Sequence, residues 1–372
     1  MLLYVFIGFL AVLGGVLYSP LNELWEVTGV NKPLPAQAIP TGCTLLKELQ
    51  ACEDIHIHHS TATAFLTCGE PQRRLQWYPP IQKLDKAGAK KDYFVKYDLT
   101  TDTYQTLKVL NFPSTELSLH GIGMRENPEN PKELILAAVN HRTSGSVIEI
   151  FMHSIGSDEL VHVETVVHEL IHSPNDIVVL SKNEFYVTND SPPGLPQWAK
   201  VVNVLAPPYT SIVHRSSSGE VRTVATLRGA NGMTANHDAS LLYVSSCGIG
   251  HLNVYERSSN TGALELTNVI KTGHIIDNPS VDYNTGELYV TGPTNGLLNL
   301  KSFSTLGVQV PFQVSKIINN TDSDSFYGIR YKSHPFISGI APGMATVSVV
   351  DSKLGKALIG GFNMQGTFVC KI

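Results

Sequence analysis

From Cys43 to the C-terminus the apolar positions fall in short β-branched and aromatic runs, each bounded by Gly, Pro, Asn or Asp. Glu133–Val139, Val147–Met152, Asp176–Leu180, Glu184–Thr188, Leu241–Ser245, Leu252–Tyr255, Glu287–Thr291 and Ala345–Val350 read as antiparallel strands on this pattern. Among them a phrase recurs: a pair of acidic or amide residues, a strand, a turn, then a second strand closing on an aromatic and a hydroxyl residue. Its copies run from Glu53-Asp54 to Phe65-Leu66-Thr67, from Asn175-Asp176 to Tyr186-Val187-Thr188, from Asn231-Gly232 to Tyr243-Val244-Ser245, and from Asp277-Asn278 to Tyr289-Val290-Thr291. A weaker copy leads from His120-Gly121 to Ala138-Val139-Asn140, and a sixth unit fits Ala345–Phe362. A repeat of about 50 residues built from four short strands is what a propeller blade requires. The expected fold is therefore all-β, a six-bladed β-propeller over residues 43–372.

Composition agrees with this and removes other classes. The 372 residues are 42% hydrophobic and only 16% charged, which excludes a disordered chain and a charged coiled coil. With 27 Lys and Arg against 32 Asp and Glu, the net charge of -5 offers no nucleic-acid-binding surface.

The N-terminus has a different pattern. Leu2 to Pro20 carries no charge and is broken only by glycines, so residues 1–20 read as a signal peptide or membrane anchor, followed by a linker over 21–42. No basic n-region precedes the apolar run and no small-x-small site follows it, which favours a retained anchor holding the protein to a membrane or lipid surface, with Trp25 at the interface. Either reading sends the chain into the secretory pathway, membrane-anchored or extracellular. There disulfides form, and Asn319 in Asn319-Asn320-Thr321 is a glycosylation acceptor.

In a propeller the first strand of each blade lines the central channel, so the residues leading into these strands converge on the axis. Glu53, His120, Asn175, Asn231, Asp277 and Asn278 form an oxygen-rich set with histidine only at its edge, which suits a hard cation, calcium rather than zinc. Turn chemistry explains any one of these residues but does not require all of them at one phase of a repeat. By the period-two rule Asp54 and Asp176 point to the other side of their strands. They are either ligands of a second, deeper cation, with a backbone carbonyl near Ile122, or turn-capping aspartates.

Taken together, Cys52-Glu53-Asp54-Ile55, Leu119-His120-Gly121-Ile122, Val139-Asn140-His141, Pro174-Asn175-Asp176-Ile177-Val178, Phe185 to Asp190, Ala230-Asn231-Gly232 and Asp277 to Asp282 resemble the paraoxonase/arylesterase family from about Cys43 to Ile372. The resemblance implies a six-bladed propeller with two axial Ca²⁺ ions that hydrolyses aryl esters and lactones. It implies Glu53, Asn175, Asn231, Asp277 and Asn278 as ligands of the catalytic ion, Asp54, Asp176 and the Ile122 carbonyl as those of the structural ion, and His120 with His141 as a catalytic dyad. Gly69–Lys91 is longer and more basic than the family's loop, and Ser191–Trp198 and Gly292–Gly296 diverge, so substrate preference does not carry over.

Rival readings are a non-catalytic propeller binding module, a calcium propeller of the sugar-lactonase or strictosidine-synthase-like type, and a zinc protease. The last rests on His168-Glu169-Leu170-Ile171-His172, an H-E-x-x-H motif. Its segment stops at Pro174, and Asn175 stands where a metzincin glycine belongs, so His168 is read as strand or loop surface. Of the five cysteines, Cys43 and Cys370 bracket the folded region and are expected to pair, closing the ring between its first and last blades. Cys52 and Cys68 flank the first hairpin and form a second candidate pair.

Overall fold

The computed structural model describes residue 18 and residues 21–89, 91–192, 209–323, 325 and 328–372. The expected anchor over 1–20 lies outside them, residue 18 excepted. Residues 21–28 of the expected linker are helical, docked by Glu23, whose carboxylate faces His251 at 2.7 Å and Lys271 at 2.8 Å.

Six antiparallel sheets of at least four strands surround one axis. Blade 1 comprises Asp54–His58, Thr63–Cys68, Tyr93–Asp98 and Thr103–Thr106. Blade 2 comprises Leu119–Asn127, Asn130–Arg142, Gly145–Ser154 and Glu159–Val166, with Lys108–Leu110 added in parallel on its outer edge. Blade 3 is Pro174–Val179, Phe185–Asn189, Thr210–Arg215 and Val221–Leu227; blade 4 is Ala230–Ala235, Leu241–Ser246, His251–Arg257 and Leu264–Lys271. Pro279–Asp282, Glu287–Pro293, Gln309–Asn319 and Tyr331–Pro342 form blade 5, and Val347–Asp351, Lys356–Gly360, Thr367–Lys371 and Cys43–Leu46 form blade 6.

The burial of each strand follows from its place in the blade. Second strands such as Phe185–Asn189 are buried throughout, because neighbouring blades cover both faces, and they read as continuous apolar runs. Outer strands such as Thr103–Thr106 and Glu159–Val166 are largely exposed and mixed in character. Between consecutive blades lie six apolar clusters. Ile135, Ile148 and Ile177 join blades 2 and 3, for example, and Phe312, Ile359 and Phe368 join blades 5 and 6. At the axis the inner strands approach so closely that a Cβ on Gly121 would lie 2.5 Å from Asp176 Oδ1, and one on Gly232 2.3 Å from Asn278 Oδ1. These two lead positions must be glycine for their neighbours to reach inward.

Both disulfides form, Cys43–Cys370 and Cys52–Cys68, leaving Cys247 as a free cysteine. The Cys43–Cys370 bond does not join the first blade to the last, as the sequence suggested, because both cysteines lie in blade 6. Cys43–Leu46 is the outer strand of blade 6, with Cys43 registered opposite Cys370. Nothing local in the sequence reveals this pairing, because the partner strand lies at the other end of the chain. With a sequence separation of 327, the bond constrains almost the whole unfolded domain. Cys43→Ser is expected to lower unfolding stability by about 5 kcal/mol in the chain-entropy picture. Denaturant titration of the variant beside wild type reads the loss, and peptide mapping that finds Cys43 as a thiol in the native protein refutes the pairing.

Candidate active site

The lead residues meet at one end of the channel. Glu53, Asn175, Asp277 and Asn278 are buried and Asn231 is half-buried. Asn278 Nδ2 reaches across to donate to Glu53 Oε1 at 3.0 Å and to the Glu53 carbonyl at 3.2 Å, while Thr346 Oγ1 donates to the same carbonyl at 2.7 Å. Among the described residues, Glu53 Oε2, Asn175 Oδ1, Asn231 Oδ1, Asp277 Oδ1 and Asn278 Oδ1 are buried with no hydrogen-bond partner. An orphaned buried acceptor costs about 1–3 kcal/mol, so five on residues leading into four inner strands are a strong demand for a positive partner. All five are oxygens and three are amides, a donor set that fits a hard divalent cation. No His, Cys, Asp or Glu cluster among the described residues has the geometry to hold a metal without such amides.

The electrostatics agree. Burial, then the charges of Asp277 and Asp54, holds the Glu53 carboxyl well above the ordinary range. Asp277 is pushed up to about 8, first by burial and then by Asp54 and Asp190.

His120 and His141 are buried beside this set. His120 Nε2 faces Glu53 Oε1 at 3.6 Å, its Nδ1 meets His141 Nε2 at 3.0 Å, and His141 Nδ1 meets Ser146 Oγ at 2.8 Å. The long loop after Cys68 closes over the pair. Its Tyr78 ring packs on His120, His141 and Phe362 at 4.8, 5.8 and 4.5 Å, and Trp77 Nε1 donates to the His141 carbonyl at 2.6 Å. Arg74 ties the loop down through the Leu119 carbonyl and through Asp92 at 3.2 Å. Burial, then the charge of Glu53, raises the Tyr78 phenol, so its hydroxyl stays protonated beside the acids. Sequence reasoning noted this loop only as long and basic. Its one local signal is Trp77-Tyr78-Pro79-Pro80, an apolar knot inside a polar stretch.

The arylesterase family profile matches residues 37–325, more than half of the chain. The chain belongs to the arylesterase family. It is 28% identical to serum paraoxonase/arylesterase 1 of Rattus norvegicus over 284 residues, covering 74% of each protein. To serum paraoxonase/lactonase 3 of Rattus norvegicus it is 31% identical over 252 residues, covering 67% of this chain and 68% of that one. Among solved structures, a luciferin-regenerating enzyme shares the fold, with a TM-score of 0.52 and 14% identity, covering 90% of this chain and 95% of that one. Membership in the arylesterase family makes the chain a hydrolase.

Deeper in the arylesterase channel, Asp54 and Asp176 each bridge two blades. Asp54 accepts from the Ile55 and Ile122 amides, both at 2.8 Å. Asp176 accepts from the Ile177 and Met233 amides at 2.7 and 2.6 Å. Ile122, expected to offer its carbonyl, is joined to this pair through its N–H. Burial, then the Asp54 charge, raises Asp176 well above the ordinary range, and its two amide bonds oppose the rise. Each carboxylate keeps acceptor capacity beyond these bonds, and neither is left with an orphaned atom.

Other arylesterase residues fall into place. The Cys247 thiol lies beside Asn231, and Asp190 is close enough to act on both Cys247 and Asp277. His168 and His172 follow the outer strand Glu159–Val166 in a turn rather than a helix. His168 Nδ1 accepts from the Leu170 amide at 3.1 Å, and His172 Nε2 bonds the Ser191 carbonyl at 2.9 Å. Asn319 is exposed at the end of its strand.

The acid pair predicts a pH signature. Without a cation, folded Asp277 keeps a proton up to about 8 that the unfolded chain, at 3.8, gives up. The folded state binds more protons across this window, so the contribution is fully present below the unfolded value and is lost as pH rises through the folded one. Chelated protein is therefore expected to melt lower at about pH 8 than at about pH 5, and calcium to raise Tm more at the higher pH. Thermal scans with and without EDTA at the two pH values check this; an equal calcium shift at both contradicts it.

Proposed function

We propose that this chain is a calcium-dependent hydrolase of aryl esters and lactones. The observation that supports this reading is the five unpartnered oxygens on the residues leading into the inner strands, with Glu53 beside the histidine pair. Glu53, Asn175, Asn231, Asp277 and Asn278 would hold the catalytic ion, and Asp54, Asp176 and the Ile122 carbonyl a structural one. Calcium supplies positive charge to polarise the substrate carbonyl and stabilise the negative charge that develops on its oxygen.

The side chains set up the proton transfer. If His120 Nε2 carries the lone pair, His120 Nδ1–H donates to His141 Nε2 and His141 Nδ1–H donates to Ser146 Oγ. This single tautomer chain leaves Nε2, the atom turned towards Glu53, as the base that takes a proton from the attacking water. His141 and Ser146 orient it. Tyr78 walls the pair and excludes bulk water, which strengthens each polar interaction inside. A non-catalytic scaffold has no use for the orphaned oxygens.

Hydrolysis of a panel of aryl esters and lactones, with and without a chelator, tests the proposal. Asn231→Ala is expected to lower kcat roughly a hundredfold or more and to weaken binding of radioactive calcium. His120→Gln is expected to lose activity while binding calcium normally; full activity in that variant shifts the role of base to Glu53 or Asp277. Asp54→Ala lowers Tm as well as activity, because a bound ion stabilises only the folded state. Chelated protein that hydrolyses the panel as fast as the loaded form removes the metal from the reaction.

We also propose that the N-terminus holds the protein to a lipid surface in the secretory pathway, outside the reducing cytosol, with Asn319 glycosylated. Two disulfides suit an oxidising compartment. Trp25 and Leu21 are exposed on the first helix, and Leu297 and Leu300 on Gly296–Ser302, whose first residue lies against Thr28. No helix among the described residues is long and apolar enough to cross a membrane. Deleting the residues before Lys32 is expected to abolish flotation with lipid vesicles while esterase activity persists. Flotation that survives the deletion refutes the anchor.

A further inference from the structure

The axis has a second mouth. The inner strands run from the lead residues to the opposite face, where all six blades enclose a cavity of about 510 Å³. Its volume falls in the range of small-molecule sites. Nothing in the catalytic reading uses it.

The acids around this mouth are already compensated. Glu126 is held by His58 Nε2 at 2.9 Å and Ser60 Oγ at 3.2 Å. Asp351 faces His59 Nδ1 at 3.2 Å and accepts from the Leu354 amide, and Asp282 accepts from the Asn284 and Ser352 amides. Arg125 differs. It lines the cavity half-buried, and among the described residues its guanidinium makes no hydrogen bond or ion pair. Burial raises the Tyr283 hydroxyl above its ordinary value, and the nearby Arg125 charge opposes the rise. The Tyr283 ring stands against His59 at 5.5 Å and His237 at 5.3 Å, giving an aromatic wall next to the cation. Below this wall the channel is lined by the apolar strand residues Ile57 and Val179.

We propose that this cavity binds an organic carboxylate, its carboxylate on Arg125 and its aryl or alkyl body against Tyr283, Ile57 and Val179. One planar guanidinium matches a carboxylate in two parallel hydrogen bonds. The cavity brings no second unpaired cation and no glycine-rich amide cradle of the kind a phosphate ester requires. The apolar body replaces water along the strand ends. This inference does not depend on the proposed hydrolysis, although ester and lactone cleavage releases carboxylates of this class.

Calorimetric titration of the full calcium-supplemented chain with sodium benzoate tests the site. One benzoate per chain is expected, with a Kd of about 1 mM or below. Arg125→Gln weakens it about tenfold and Arg125→Lys restores part of the loss. The half-exposed guanidinium holds nothing in the fold, so Tm and esterase activity remain those of wild type. Asn231→Ala, at the other end of the axis, leaves benzoate binding unchanged. Any of four results overturns the proposal: no saturation by about 20 mM benzoate, unchanged affinity in Arg125→Gln, loss of binding in Asn231→Ala, or inorganic phosphate binding as tightly as benzoate.

Discussion

Negative charge in a narrow, buried channel is the constraint to which this propeller answers. Glu53, Asp54, Asp176 and Asp277 are all buried near one axis, and the charges of Glu53, Asp54 and Asp277 raise the cost of ionising neighbouring acids. The fold meets this cost in two ways. The deeper aspartates are engaged by amides from the next blade, and these hydrogen bonds help hold blade 1 to blade 2 and blade 3 to blade 4. The outer oxygens receive no such partners. The first arrangement ties neighbouring blades together, and the second leaves acceptors that suit the proposed cation.

The blades alternate to make this possible. In blades 1, 3 and 5 the second lead position holds Asp54, Asp176 or Asn278. In blades 2 and 4 it holds Gly121 or Gly232, where the neighbour's side chain occupies the space a Cβ needs. The hydroxyls of Thr67 and Thr188 repeat the theme, donating to the carbonyls of His120 and Asn231 in the following blade. A polar side chain of blade 3 thus fills the notch in blade 2, and one at the entry to blade 5 fills the notch in blade 4. The six apolar clusters hold the blades together farther out, where the channel's polarity no longer intrudes.

Much of this was legible because it repeats. The fixed spacing from Glu53 to Phe65, and from Asp277 to Tyr289, marks inner and second strands, and burial on both faces keeps these apolar. The outer strands were missed for the converse reason: Thr103–Thr106 is fully exposed and carries no pattern to read. Cys43–Leu46 was misplaced because its identity as a strand comes only from Thr367–Lys371. Tyr78 and Trp77 belong to no repeat. Their role at His120 and His141 depends on how a unique loop returns over the channel. The lower cavity stayed invisible because its wall joins residues from every blade, none of which stands at a lead position.

Because blade 6 is assembled from both ends of the chain, the ring has a seam, and the seam runs beside the proposed catalytic site: Glu53 of blade 1 is tied to Thr346 at the entry to blade 6 and to Asn278 at the entry to blade 5. During synthesis the N-terminal strand emerges first and waits for the last residues before it finds its place. Blades 1 to 5 can stack in order as they leave the ribosome, but the oxygens on either side of the seam meet only after translation ends. Completion of the proposed site is therefore a property of the closed ring, and a product that lacks the last blade leaves the Glu53 carbonyl without its bond from Thr346.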